Sequence, residues 1–220
     1  MKPIFEAIQA GDAARVSALL DAEPALVNER TEQGTSALAF SVYVRKPEIT
    51  ALLEQRGAEV DVFAAAMLGR TALVAEQLAG NKSLATLLSR DGWTALHLAA
   101  FFGHVEAARE LLNKGAVINA RSTNAMKNMP LHAAAAGRSL PVVNLLIERG
   151  ADVNARQHGG FAPLHSAAAN GDVDMMQALV DAGADVSART ESQQLPLDLA
   201  LIKGHQAAVD FLESRGASLG

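Results

Sequence analysis

Apolar positions in this chain alternate between two patterns. From Val105 to Asn113 they fall at Val105, Ala108, Leu111 and Leu112, the three-and-four spacing of a helix with one buried face. Just upstream, Ala95, Leu96, Leu98, Ala99 and Ala100 form a short and very apolar run, which predicts a shorter helix. Asp91-Gly92 is a turn pair, and Thr94 is placed to cap the helix that follows. Gly103 and Gly115 end the two helices, because glycine adopts the left-handed conformation without penalty. Val117-Ile118-Asn119 then leads into the next hairpin. The unit reads as turn, short helix, turn, longer helix.

This unit recurs. Gly115, Gly150, Gly183 and Gly216 lie 35, 33 and 33 residues apart, a period that marks a stacked solenoid. Pro130-Leu131-His132, Pro163-Leu164-His165 and Pro196-Leu197-Asp198 open the later short helices. In the unit opened by Pro130 the hairpin is longer, and Arg138 stands where the others have glycine, with Gly137 one position early. The N-terminal half carries a longer period: Phe5, Gly11, Leu26, Ala39 and Gly57 match Phe63, Gly69, Leu84, His97 and Gly115, each 58 residues on. The register implies a duplicated two-unit block. Between Gly57 and Phe63 the chain is too short for a hairpin, and a tight helix–helix link is predicted there. The segments Asp21–Asn28 and Ala79–Leu88 are correspondingly longer connections. Seven units follow, about 1–30, 31–60, 61–90, 91–121, 122–156, 157–189 and 190–220, read as one elongated domain over 1–220 with a cap at each end.

Composition narrows the function classes. Hydrophobic residues make up 50% of the 220 and aromatics only 4%, so the core is built of Ala, Leu and Val. The net charge of −5 gives no support for nucleic-acid binding, where a basic face is expected. Cysteine is absent, which excludes disulfides, thiolate catalysis and cysteine-based zinc sites and fits a reducing cytoplasm. No stretch of 18 apolar residues predicts a membrane span, and the N-terminal residues lack the apolar core of a signal peptide. No phosphate-binding, dinucleotide-binding, zinc-protease or nucleophile-elbow motif is present, and Ser166 beside His165 is only a sequence neighbour.

With these residues laid out, the chain resembles the ankyrin-repeat family along essentially its whole length. The segments GWTALHLAAFFGH, MPLHAAAAG and FAPLHSAAANGD match the family pattern closely, whereas Ala39 and Phe63 depart from it at the histidine position. The resemblance implies an all-α solenoid of helix–turn–helix units with projecting hairpins and a concave surface lined by the short helices. It also implies protein binding rather than catalysis, and no cofactor. The family's matching histidine bonds turn backbone and ties units together, so His97, His132 and His165 are read as structural. Units about 10 Å apart cannot bring three such ligands to within about 2 Å of one metal ion. Asp198 takes that position in the last unit and suits a cap. By the same resemblance Asn28, Asn119 and Asn154 bond their own hairpins. His104 and His205, at the starts of second helices, are read as solvated or locally bonded.

Large residues at surface positions carry the functional expectation. The fourth and fifth positions past the histidine hold Tyr43-Val44, Met67-Leu68 and Phe101-Phe102, and the fourth before it holds Trp93 and Phe161. His158 falls at a predicted hairpin tip. Tyr43, Met67, Leu68, Trp93, Phe101, Phe102, His158 and Phe161 are therefore the predicted partner-binding residues, since exposed apolar patches and aromatic anchors mark interfaces. The competing expectation is that these rings pack within the array. A monomeric, cytoplasmic protein binding another protein is expected. A self-associating array and a small-ligand-binding enzyme accessory stand as alternatives.

Overall fold

The structure, a computed structural model, describes residues 2–218. Met1, Leu219 and Gly220, at the extremes of the first and last predicted units, lie outside the described residues. Among the described residues there are fourteen α-helices and no β-strand, with isolated bridges only at Arg30–Ser36 and Leu88–Thr94. The helices form seven pairs. They are α1 (Pro3–Ala10) with α2 (Ala13–Ala22), α3 (Ala37–Tyr43) with α4 (Pro47–Gln55), and α5 (Val62–Met67) with α6 (Thr71–Gly80). Next come α7 (Ala95–Phe102) with α8 (Val105–Asn113) and α9 (Pro130–Ala136) with α10 (Leu140–Glu148). The last two are α11 (Pro163–Asn170) with α12 (Val173–Asp181), and α13 (Pro196–Ile202) with α14 (Gln206–Ser214). The long connections before α3 and α7 each contain a 3₁₀ turn, Pro24–Asn28 and Lys82–Ala85.

Local chemistry starts each short helix. Ser36 accepts from the N–H of Ala39 at 3.2 Å, and Asp61 from that of Ala64 at 2.9 Å. Thr94 caps α7 as predicted. In α9, α11 and α13 a proline occupies the first turn, where its missing N–H costs no hydrogen bond. The short helices stack upon one another in one layer and the longer helices in a second. Leu96, Leu131, Leu164 and Leu197 recur at one position and are each at most 1% exposed. Burying a leucine contributes roughly 1.5–3 kcal/mol, and here each one is covered only because a neighbouring unit lies over it.

The turn after each short helix needs a left-handed residue. Gly11, Gly69, Gly103, Gly171 and Gly204 supply it, and Arg45 and Arg138 adopt it at φ 55° and 60°. The substitution seen at Arg138 therefore leaves the turn unchanged. Gly137 answers a different constraint. Its φ of −75° suits any residue, but a Cβ there would lie 2.0 Å from the carbonyl oxygen of Phe101 in the unit before. Gly137→Ala, which helix propensity alone would favour, is predicted to destabilise the protein by about 1–3 kcal/mol through that overlap. Gly150→Ala has open space around it and costs only left-handed strain, about 1–2 kcal/mol. Urea denaturation of the two variants beside wild type checks both costs, and a stabilised Gly137→Ala would contradict the overlap.

Candidate interaction surface

The surface is positioned by bonds that cross from unit to unit. In His97, His132 and His165 the Nδ1 accepts the backbone N–H of Thr94 (3.3 Å), Met129 (3.3 Å) and Ala162 (3.1 Å). That fixes the proton on Nε2. Each Nε2 then donates into the next unit, to the carbonyls of Asn128 (3.1 Å), Phe161 (3.1 Å) and Gln194 (3.3 Å). Asp198 accepts from the N–H of Leu195 at 2.7 Å and closes the series, having no unit beyond it to reach among the described residues. Burial pushes the ionisation of His97 and His132 down to about 4 and lowers that of His165 as well. All three are neutral ties between units.

Two further ladders run beside the histidines. Hairpin tips bond backbone to backbone, Thr123 N–H to Gly92 (3.0 Å), His158 to Met126 (2.9 Å) and Glu191 to Gly159 (2.9 Å). Arg121 donates to the carbonyls of Lys127 and Arg156, both at 3.0 Å, and Arg156 to Gly160 and to Arg189. The recurring Asn119-Ala120-Arg121, Asn154-Ala155-Arg156 and Ser187-Ala188-Arg189 triplets carried that signal in the sequence. Asn28, Asn119 and Asn154 accept from Glu59 (2.8 Å), Asp152 (3.1 Å) and Asp185 (2.9 Å) in the following unit, not from their own hairpins. His104 likewise reaches the preceding unit, where its Nε2 donates to the Met67 carbonyl at 2.8 Å, so the solvated reading of it is corrected.

The predicted contact residues separate into three groups. Tyr43, Phe102, Phe101 and Trp93 form one continuous run of rings, with centroids 5.7, 5.2 and 6.1 Å apart. All four are half-buried and pack against the core on one side. Tyr43 also donates its hydroxyl to Asp91 at 3.0 Å, and burial, with Asp91 nearby, pushes the phenol above its usual range. Phe161 stands apart, half-buried with its ring 5.7 Å from His165, and His158 is exposed in the same hairpin. Met67 is the correction: at 2% exposure it is core, because no hairpin of its own unit displaces the packing over it. Leu68 is half-buried at the end of α5. The exposed large apolar residues include Leu88 (38%), Met126 (49%) and Ile202 (66%). The first two lie in hairpins, where helical periodicity carries no signal.

Where the third unit lacks a hairpin, a notch of about 300 Å³ opens between the hairpins of the second and fourth units. Arg30, Asp61, Arg90 and Asp91 line it together with Tyr43, Phe63 and Leu88.

Stacked pairs of antiparallel helices joined by projecting hairpins, with a histidine ladder, define a helical repeat solenoid. Family models agree: one for ankyrin repeats in three copies matches residues 62–157, and one for ankyrin repeats in many copies matches residues 146–200. The chain belongs to the ankyrin-repeat family. Curated relatives include a probable E3 ubiquitin-protein ligase, XBOS31, of Oryza sativa subsp. japonica, 33% identical over 123 residues, covering 51% of this chain and 28% of that protein. The neurogenic locus Notch protein of Drosophila melanogaster is 36% identical over 89 residues, 40% of this chain and 3% of its own length. Alpha-latrocrustotoxin-Lt1a of Latrodectus tredecimguttatus is 36% identical over 124 residues, 53% of this chain and 9% of its own. The chain thus spans under a third of these relatives. Ankyrin repeats generally mediate protein–protein interaction and are generally non-catalytic. Among the described residues no helix is long and apolar enough to cross a membrane.

The histidine ladder makes stability depend on pH. Above the ordinary histidine value of 6.5 neither folded nor unfolded chain binds the proton, and the ties contribute fully. Between 6.5 and about 4 the unfolded chain takes up protons that folded His97 and His132 refuse, so stability falls as pH falls. The slope approaches about 1.4 kcal/mol per histidine per pH unit. Urea midpoints at pH 7.5 and 5.0 are predicted to differ accordingly, with a shallower dependence in His132→Gln. Equal wild-type midpoints would contradict the assignment.

Proposed function

We propose that this protein is a non-enzymatic binding scaffold whose partner docks on the ring cluster Trp93, Phe101, Phe102 and Tyr43, with Leu68, Phe161 and His158 at its margins. The observation that carries this reading is the continuity of the four rings, which come from the hairpin of the fourth unit and the C-terminal ends of α3 and α7. Each ring is packed on one side and open on the other. Burying the open side of Trp93, Phe101 and Phe102 gains apolar contact at small ordering cost, because the fourth unit beneath them is already tied to both neighbours through His97 and His104. Interfaces concentrate their energy in such aromatic anchors. A monomer in the cytoplasm fits the absence of cysteine and the net charge of −5.

Affinity capture from the source cell, comparing wild type with Trp93→Ala and with Trp93→Ala/Phe102→Ala, tests the proposal once circular dichroism has matched their helicity. Loss of one true anchor costs about 2 kcal/mol, roughly a 30-fold weaker Kd for the captured partner. Unchanged capture by the folded variants would move the site elsewhere, and variants that unfold would make the rings core.

A further inference from the structure

The seven units are not joined equally. At the first junction Arg56 reaches back to Asp21 (2.7 Å) and Ser17 (2.8 Å), and Asn28 takes the N–H of Glu59. At the third, His104 bonds the Met67 carbonyl, and α5 packs on α7 and α6 on α8. The last three junctions have the histidine tie and the tip-to-tip backbone bond.

The second junction, between the pair α3–α4 and the pair α5–α6, lacks the histidine, asparagine and tip-to-tip bonds; α3 packs on α5, and Gln77 donates to the Val60 carbonyl at 2.7 Å. Ala39 stands one 58-residue block before His97 and has no ring to donate. Asp61 stands four residues past Gly57, as Asn119 does past Gly115, but its carboxylate is turned to the cap of α5. There is no hairpin tip to bond. Arg30 donates to Gly34 within its own hairpin, as the other ladder arginines do in theirs, but pairs beyond it only with Asp61 at 3.5 Å. The buried core divides near here as well: Ile4 to Leu38, Ile49, Leu53 and Ala64 form one cluster, and Ala39 joins the later core residues in another. α4 and α6 scarcely touch. An open cleft of about 650 Å³, bordered by Glu54, Val60, Arg70 and Leu73, lies between them. The ion pair Arg70–Glu54 (2.9 Å) spans that cleft, and exposed pairs of this kind contribute at most about 1 kcal/mol. The notch faces the cleft from the other side of the array, and its two arginines and two aspartates balance, so it offers a ligand no net charge.

We infer that the second junction is a hinge, with residues 2–60 moving against residues 61–218, and that Tyr43 and Arg90 form its latch. Free space on both sides of a sparsely bonded joint is what such a motion requires. The latch lies across the notch: Tyr43 bonds Asp91, and the Arg90 side chain lies against Gly34, whose added Cβ would fall 2.0 Å from Arg90 Cδ. Opening breaks the Tyr43–Asp91 bond and withdraws Tyr43 from Phe102. The consequence for binding rests on the proposed ring surface, because Tyr43 is on one side of the joint and Trp93, Phe101 and Phe102 are on the other. Closing assembles the surface and opening divides it. The hinge itself stands without that reading.

The full chain has no cysteine, so nitroxide labels can be placed at will. One pair, Gln33→Cys with Ala125→Cys, spans the joint; a control pair, Ala125→Cys with Ser192→Cys, lies within the later units. All three sites are exposed. Double electron–electron resonance is expected to give a broader distance distribution for the spanning pair. Adding Tyr43→Phe, which deletes one hydroxyl and keeps the ring, should broaden it further and leave the control unchanged. Equal widths for the two pairs, or a spanning width indifferent to Tyr43→Phe, would overturn the hinge and latch. The measurement needs no partner. Failure of binding at the rings with a broad spanning distribution would therefore remove the surface and keep the hinge.

Discussion

One imidazole, bonded at both ends, organises this protein. A unit of two helices cannot cover its own apolar face, so each depends on the next being laid down at the right height and angle. His97, His132 and His165 set that placement by holding the start of their own helix through Nδ1 and the next hairpin through Nε2. The imidazole has to stay neutral to do so, since protonation would remove the Nδ1 acceptor. Burial keeps it neutral at ordinary pH and, by the same desolvation, makes it vulnerable to acid.

The consequences extend along the array. With the histidine tie in place, hairpin tips come close enough to bond backbone to backbone, and Arg121 and Arg156 can reach from one hairpin to the next. The tie is missing at both Ala39 and Phe63, but His104 bonds across the junction after Phe63, whereas after Ala39 the asparagine and tip bonds are missing too and two clefts appear. The ring cluster sits over that interruption. The most aromatic part of the chain thus coincides with its least constrained joint, which would couple recognition to the shape of the array.

Much of the fold was legible because it is written in local terms. The helix spacing of Val105 to Leu112, the glycine punctuation and the short link after Gly57 each specify structure within a few residues, and α8 runs over the predicted Val105–Asn113. What crosses between units was less legible, because sequence spacing does not say which neighbour a side chain meets. Asn119 and Asn154 look like residues of their own turns, yet each caps the turn of the next unit. Gly137 looks like a displaced turn glycine, yet it is there to clear the Phe101 carbonyl. Counting from the histidine position placed Met67 beside Phe101 on the surface, but a missing hairpin changes what covers a position without changing its register. The notch left no mark on the hydrophobic pattern at all.

Stability is carried from neighbour to neighbour by these ties and fails first where they are absent. Peptide-resolved hydrogen exchange on the intact chain at neutral pH tests it most directly. The slowest exchange is expected in α7 to α12, with a separate, faster cooperative opening of the residues before Ala58. A single protection level from end to end, or an N-terminal block that outlasts α9 and α11, would contradict it.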